Sequence, residues 1–288
     1  MDRRSCLSLL GLVACSRAAV AAPAAPAVWR LGVAPHTSAR VIVQMYQPLR
    51  LHLQQELGVP VEVVTASDFT EYARRALAGQ YDLAVTTGHQ ARLLQSDAGY
   101  LPLRTYQADF RAVAVVKGTA PYRRAADLAG GEAAGLSPSS LVTLWGQHWL
   151  TRNAVPHRPM QYVSAADSLA QLVLKDEAAV GFMSLANFQQ LAPAVQAQLR
   201  ILEQSVPMAG RVYLLHPRLA ARVEDVDAAL ESFAKTPEAA AYFERYKLEG
   251  YRRLGPRELD EMEPYAAEVR EVLRRSGPAP AATRAARP

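Results

Sequence analysis

Apolar residues at Ile42, Met45/Tyr46, Leu49, Leu53 and Leu57 recur every three or four positions, which predicts an amphipathic helix opening after Ser38. Gly58 and Pro60 stop it, and Pro48 inside it predicts a kink or a division. Short apolar runs on either side, Val28–Ala34 and Val61–Thr65, read as strands. Asp68 is placed to cap a helix over Phe69–Ala78 that Gly79 ends. A strand over Tyr81–Thr86 leads through Thr87-Gly88-His89 into a helix reaching Leu94, and Leu101–Tyr106 and Phe110–Val116 follow as strands.

A second run of the same kind comes next. It has a short helix at Ala125–Ala129, a strand at Glu132–Leu136, and Ser137-Pro138-Ser139-Ser140 opening a helix to about Asn153. Gln161–Val163, Ala166–Leu174 and Ala178–Met183 read as strand, helix, strand, and Ser184–Leu191 as helix. Leu199–Glu203 and Arg211–Leu215 are strands; then Val223–Ala234, a segment opened by Thr236-Pro237, and Pro256–Arg275 are helical.

Strands alternating with helices predict an α/β fold with mostly parallel sheets covered on both faces. Two β/α runs of about ninety residues followed by a helical return predict two lobes. In open α/β sheets ligands sit beyond the carboxyl ends of strands, which directs attention to residues 35–38, 86–89, 137–140 and 184–187.

Composition narrows the class. The chain has 288 residues, half of them apolar, enough for a substantial core and incompatible with disorder. Its net charge of +5 belongs to its ends, +1 in residues 1–14 and +4 in residues 274–288, which leaves 15–273 neutral. A nucleic-acid partner wants Lys and Arg clustered on the fold, so none is expected. No run in the body is long and apolar enough to span a bilayer.

Residues 1–27 read as an export signal: Arg3-Arg4, an apolar stretch from Cys6 to Ala14, then small residues with A-x-A-like sites. Leu12-Val13-Ala14-Cys15 also reads as a lipobox, which would leave Cys15 lipidated and the protein anchored; ordinary signal cleavage is the alternative. Cys6 and Cys15 are the only cysteines, so a mature body without them has no disulfide, thiolate metal site or thiol nucleophile. Residues 276–288 are rich in Ala, Pro and Arg and read as a disordered tail.

An ordered set of segments carries a resemblance over residues 29–250: Gly32-Val33-Ala34-Pro35; Tyr46 ahead of Pro48-Leu49; Gly79 and Tyr81-Asp82-Leu83-Ala84 leading to Gly88; Ala126-Asp127-Leu128-Ala129-Gly130; and Ser137-Pro138-Ser139-Ser140. In these the sequence resembles the periplasmic solute-binding proteins of phosphonate, phosphite and phosphate ABC transporters. The resemblance implies a type II periplasmic-binding-protein fold, two α/β lobes with a hinge and a ligand cleft. Lobe one would hold 28–112 and 206–275, lobe two 113–205. It further implies a monomer in the periplasm without a cofactor, a small oxyanion ligand and an ABC permease partner.

Ser137-Pro138-Ser139-Ser140 places hydroxyls and free N–H groups at a helix start, which favours an oxyanion. A plain Ser N-cap is the alternative. The resemblance assigns the segment to the oxyanion, with Thr143 able to lend a hydroxyl where relatives have a small hydroxyl residue and a Gly in place of Val142 and Thr143. From the other lobe the candidates are His36, Thr37, Tyr46, Thr87, Gly88 and His89, with Ser184 as a lesser one; Tyr106 is expected to pack. Relatives carry a His-Glu pair where this chain has Ala166-Asp167, and an Asp aligned with Ala179, which points to a simpler or different ligand.

Enzymatic signatures fail. Gly135-Leu136-Ser137-Pro138-Ser139 lacks the closing Gly of a nucleophile elbow, the His residues lack metal spacing, and no phosphate-loop pattern exists. Glu261 and Glu263 belong to a charged helical face. The rival readings are a ligand sensor for a membrane kinase and an enzyme on the same scaffold.

Overall fold

A computed structural model describes residues 27–277; residues 1–26, where an export signal with Cys15 is expected, and residues 278–288 lie outside the described residues. The first half of the chain gives β1 (Trp29–Val33), α1 (Ala39–Leu57), β2 (Val61–Val64), α2 (Phe69–Leu77), β3 (Leu83–Thr87), α3 (Gly88–Ala98) and β4 (Leu101–Tyr106). Caps act where the sequence places them. Ser38 accepts from the Val41 amide, Asp68 from the Glu71 amide, and Gly58 ends α1 in the left-handed region at φ 66°. α1 is neither divided nor ended at Pro48. The missing proline N–H removes one backbone bond, while Ile42, Met45, Tyr46, Leu49 and Leu53 bury one continuous face across that point.

The chain then crosses to a second sheet through β5 (Ala112–Lys117), β6 (Ala133–Gly135), α4 (Leu141–Arg152), β7 (Gln161–Tyr162), α5 (Ala166–Leu174), β8 (Val180–Ser184), α6 (Leu185–Gln189), α7 (Pro193–Gln196) and β9 (Leu199–Gln204). It returns through β10 (Arg211–Leu215), α8 (Val223–Phe233), α9 (Pro237–Tyr246), β11 (Tyr251–Arg252) and α10 (Glu263–Arg275). The final helix starts later than Pro256, because Pro264 has no N–H to give a preceding turn and so occupies the first turn itself.

The strand orders are β11-β4-β10-β3-β1-β2 and β7-β6-β8-β5-β9. The sheets are mixed, which corrects the mostly parallel expectation. β1 runs parallel to β2 and β3, and β6 to β7 and β8, but β10 is antiparallel to β3 and β4, β11 to β4, and β5 to β8 and β9. The parallel pairs are linked through helices; β5 and β10 enter their sheets by direct crossing and run the other way.

Each sheet is covered on both faces. In the first, β1, β3 and β10 bury residues against α1, α8 and α9 on one side and α2 and α3 on the other; in the second, α4 and α5 take opposite faces. α10 straps the two halves. Its Ala266 and Val269 pack with Ala73, Leu93 and Leu144, drawn from α2, α3 and α4.

Candidate ligand-binding cleft

A cleft of about 360 Å³ opens where the two sheets face each other. Its wall takes Pro35 and His36 beyond β1, Thr87 at the end of β3, Leu136 to Ser137 beyond β6, and Ser184 at the end of β8. These are carboxyl ends of strands, where open α/β sheets present ligands.

Four polar groups in or beside this wall are buried without hydrogen-bond partners: His36 Nε2, Tyr46 Oη, Ser137 Oγ and Arg211 Nη1. Buried polar groups are nearly always paired, so a convergent set of unpaired ones marks a place built for something else to bind. Arg211 is the charged member. It lines the cleft, and its guanidinium lies 6.0 Å from the centre of the Tyr106 ring. Burial opposes its charge, but a guanidinium keeps its proton in a protein, so the cation persists. Behind it the Tyr106 hydroxyl bonds those of Tyr213 at 2.6 Å and Tyr242 at 2.5 Å, and burial raises all three phenols far above their usual range.

Position 211 reaches the cleft through strand pairing. β10 is antiparallel to β3 with Arg211 opposite Thr87, so the first residue of β10 sits beside the last residue of β3. The sequence reading took Arg211 only as a strand start. The available signal was an Arg heading an otherwise apolar strand directly after Ala209-Gly210.

On the opposite wall, Ser140 caps α4. Its Oγ donates to Thr143 Oγ1 and accepts from the Thr143 amide, while Thr143 Oγ1 accepts from the Leu136 amide. The Leu141 and Val142 amides have no acceptor among the described residues, and both residues line the cleft.

The sequence candidates divide into two groups. His36, Thr87, Ser137, Ser140 and Ser184 line the cleft. Thr37, Tyr46, Gly88, His89, Ser139 and Thr143 are not among its lining residues. Thr37 is exposed, and Tyr46 is buried with its ring 6.4 Å from that of His36. Gly88 is held by close approach: a Cβ there would meet the Ala209 Cβ at 2.5 Å and carbonyl oxygen at 2.6 Å. Ser139 is fully buried; its Oγ pairs with Thr70 Oγ1 at 2.9 Å and its carbonyl accepts from His89 Nε2. Thr143 is fully buried beneath the helix start. Ser184 uses its Oγ to cap α6.

Tyr106, expected only to pack, also lines the cleft. Ala166 is at the wall as well, but Ala179 lies before β8, at the opposite end from Ser184, and lines a separate cavity with Glu132 and Asp176. Its lack of a carboxylate therefore has no bearing on the cleft. Asp68, Asp109, Asn187, Gln190 and Lys247 are wall residues that the sequence did not name as ligand contacts. Among the described residues no cluster of His, Cys, Asp or Glu is placed to hold a metal ion.

The family described as the phosphonate ABC transporter periplasmic substrate-binding proteins matches residues 31–259. The chain belongs to that family. As a periplasmic binding protein of an ABC transporter it serves a small-molecule ligand and a permease partner, and its family is one of binding proteins, not enzymes.

No curated protein matches the binding protein. Solved structures do. XAC2383 from Xanthomonas citri bound to ATP aligns at 22% identity and TM-score 0.72, over 85% of this chain and 98% of that one. PhnD1 from Prochlorococcus marinus in complex with methylphosphonate aligns at 12% and 0.75, over 85% and 98%. The aliphatic sulphonate binding protein SsuA from Escherichia coli aligns at 14% and 0.63, over 88% and 94%. At these identities the likeness establishes the shared fold.

Proposed function

We propose that the binding protein captures a small organic phosphorus oxyanion, of the phosphonate type, and delivers it to its permease. The observation that carries this reading is Arg211, a cation in the cleft with a buried Nη1 that has no hydrogen-bond partner. An oxyanion on Arg211 would take charge-assisted bonds, with Ser137 Oγ and the Leu141 and Val142 amides as donors from the other wall. Phe69, Phe110, Leu141, Val142 and Tyr162 form apolar surface for a carbon substituent, more than an inorganic anion uses. That PhnD1 holds methylphosphonate on this fold supports the same class.

The ligand would lie between a lobe of residues 28–112 and 206–275 and a lobe of 113–205, which close on it; the separate sheets support that division. The Leu12-Val13-Ala14-Cys15 segment supports a lipid anchor on Cys15, which Cys15→Ser and detergent partitioning test.

The deciding experiment is a thermal-shift titration of the mature chain with phosphate, phosphite, methylphosphonate, 2-aminoethylphosphonate and sulphate. Ligand at a hundred times its dissociation constant adds about 2.7 kcal/mol of stability, a clear rise in midpoint. A selective rise with a phosphonate supports the reading; a flat response to every phosphorus oxyanion overturns it.

A further inference from the structure

We propose that His36 makes the cleft select an oxyanion that carries its own proton, so that a phosphonate or phosphomonoester monoanion is taken and a sulphonate is refused. The inference rests on the oxyanion reading of the cleft and names which oxyanions enter.

The argument begins at the other ring nitrogen. His36 Nδ1 lies 2.9 Å from the Ala34 carbonyl oxygen. A carbonyl only accepts, so Nδ1 carries the proton. A second proton is opposed first by burial and next by the Arg211 charge, and these outweigh the Ala34 bond, so the ring is held neutral with its titration well below the usual histidine range. Nε2 then presents a lone pair. It is buried and receives no hydrogen bond from any described residue.

The charged and titratable groups around this ring are Arg211 from β10 and Tyr46 from α1, with Asp68, Asp109, Lys247 and Tyr106 sharing the cleft. Asp68 accepts from the Glu71 amide and the Ser67 hydroxyl, and Asp109 pairs with Arg111.

An oxyanion bound at Arg211 has to meet that lone pair. A fully deprotonated oxyanion offers only lone pairs of its own, which repel. A P–O–H group donates to Nε2 while its remaining oxygens accept from Arg211 and Ser137. A sulphonate is a strong acid with no such proton, and it fits only when His36 itself becomes protonated. His36 therefore sets specificity by being an acceptor beside the Arg211 and Ser137 donors that hold the oxyanion.

The test is calorimetric titration of the full mature chain with methylphosphonate, methyl phosphate and methanesulphonate between pH 5 and 8.5. Methylphosphonate and methyl phosphate should bind with affinity that is flat at acid pH and falls once the second proton leaves, near pH 6 for the phosphomonoester and by about tenfold per pH unit beyond. Methanesulphonate affinity should fall by about tenfold per unit at every pH above the titration of the ring, because only the protonated ring admits it. His36→Gln, whose amide can turn an N–H toward the ligand, should bind methanesulphonate without that pH dependence. Equal affinities with parallel pH profiles in the wild-type chain would overturn the selection while leaving the oxyanion site intact. Binding of none of the three would sink the oxyanion reading and this inference with it.

Discussion

His89 Nε2 donates to the Ser139 carbonyl at 2.9 Å, joining the first turn of α3 to the loop that opens α4. Thr87 Oγ1 lies 3.1 Å from His89 Nδ1 and donates to it, which fixes the tautomer. Thr70 Oγ1 meets Ser139 Oγ from α2. Two residues read from sequence as ligand contacts are thus bound to each other's surroundings, and they tie the two halves together beneath the cleft.

This pairing gives the protein an acid sensitivity. Burial lowers the His89 pKa from 6.5 to about 4. The unfolded chain takes up a proton on His89 below about pH 6.5 and the native ring does not, so the stabilisation is fully present above pH 6.5 and is lost progressively down to about pH 4. At 1.36 kcal/mol per unit, the loss is roughly 3 kcal/mol. Urea unfolding at pH 7 and pH 4.5 should show this loss in the wild type and a smaller one in His89→Gln, which keeps a donor for Ser139 without the titration.

Arg211→Gln should cost an oxyanion ligand roughly 1.5–3 kcal/mol, the worth of charged hydrogen bonds, or about ten- to a hundredfold in affinity. Because its Nη1 has no partner, the midpoint of the unliganded protein should change little. A calorimetric titration with methylphosphonate beside a thermal scan separates the two effects. Unchanged affinity would remove Arg211 from the site.

Gly88→Ala tests how the return crossing is held. The new Cβ would lie 2.6 Å from the Ala209 carbonyl oxygen, two residues before Arg211, and Gly88 N–H also donates to that oxygen at 3.2 Å. The crossing has to shift. We expect a loss of about 1–3 kcal/mol in stability from overpacking, together with weakened ligand binding. A loss of stability with full affinity would show that Arg211 is positioned independently of this contact.

Asp227 is a control remote from the cleft wall. It takes two bonds from Arg104, of 2.5 and 2.9 Å, and one of 2.8 Å from Arg253, tying β4 to α8. Its Arg104 partner is nearly buried and keeps a bond to Glu231 at 2.9 Å, so Asp227→Ala removes charged hydrogen bonds without stranding the cation and should cost about 1.5–3 kcal/mol. Chemical denaturation should report that cost while methylphosphonate affinity stays within twofold (about 0.4 kcal/mol) of wild type.

What the sequence determined by itself is local. The apolar spacing of α1, the caps Ser38 and Asp68, the stop at Gly58 and the Ser-rich turn before α4 all depend on residues within about four positions of each other, and each stands where the pattern put it. The resemblance supplied the family and the region of the cleft. Tertiary structure decided which side chains face that cleft. Arg211 reaches it because β10 pairs antiparallel with β3, and nothing local to residues 209–215 encodes that direction. Ser139, Thr143 and His89 sit in the right segments but are fully buried, since each satisfies a neighbour brought in by the packing of α2, α3 and α4. Ala179 stands at the far end of β8 from the site its alignment suggested. Periodicity and caps report which elements form; strand direction and the satisfaction of buried polar groups are properties of the assembled chain.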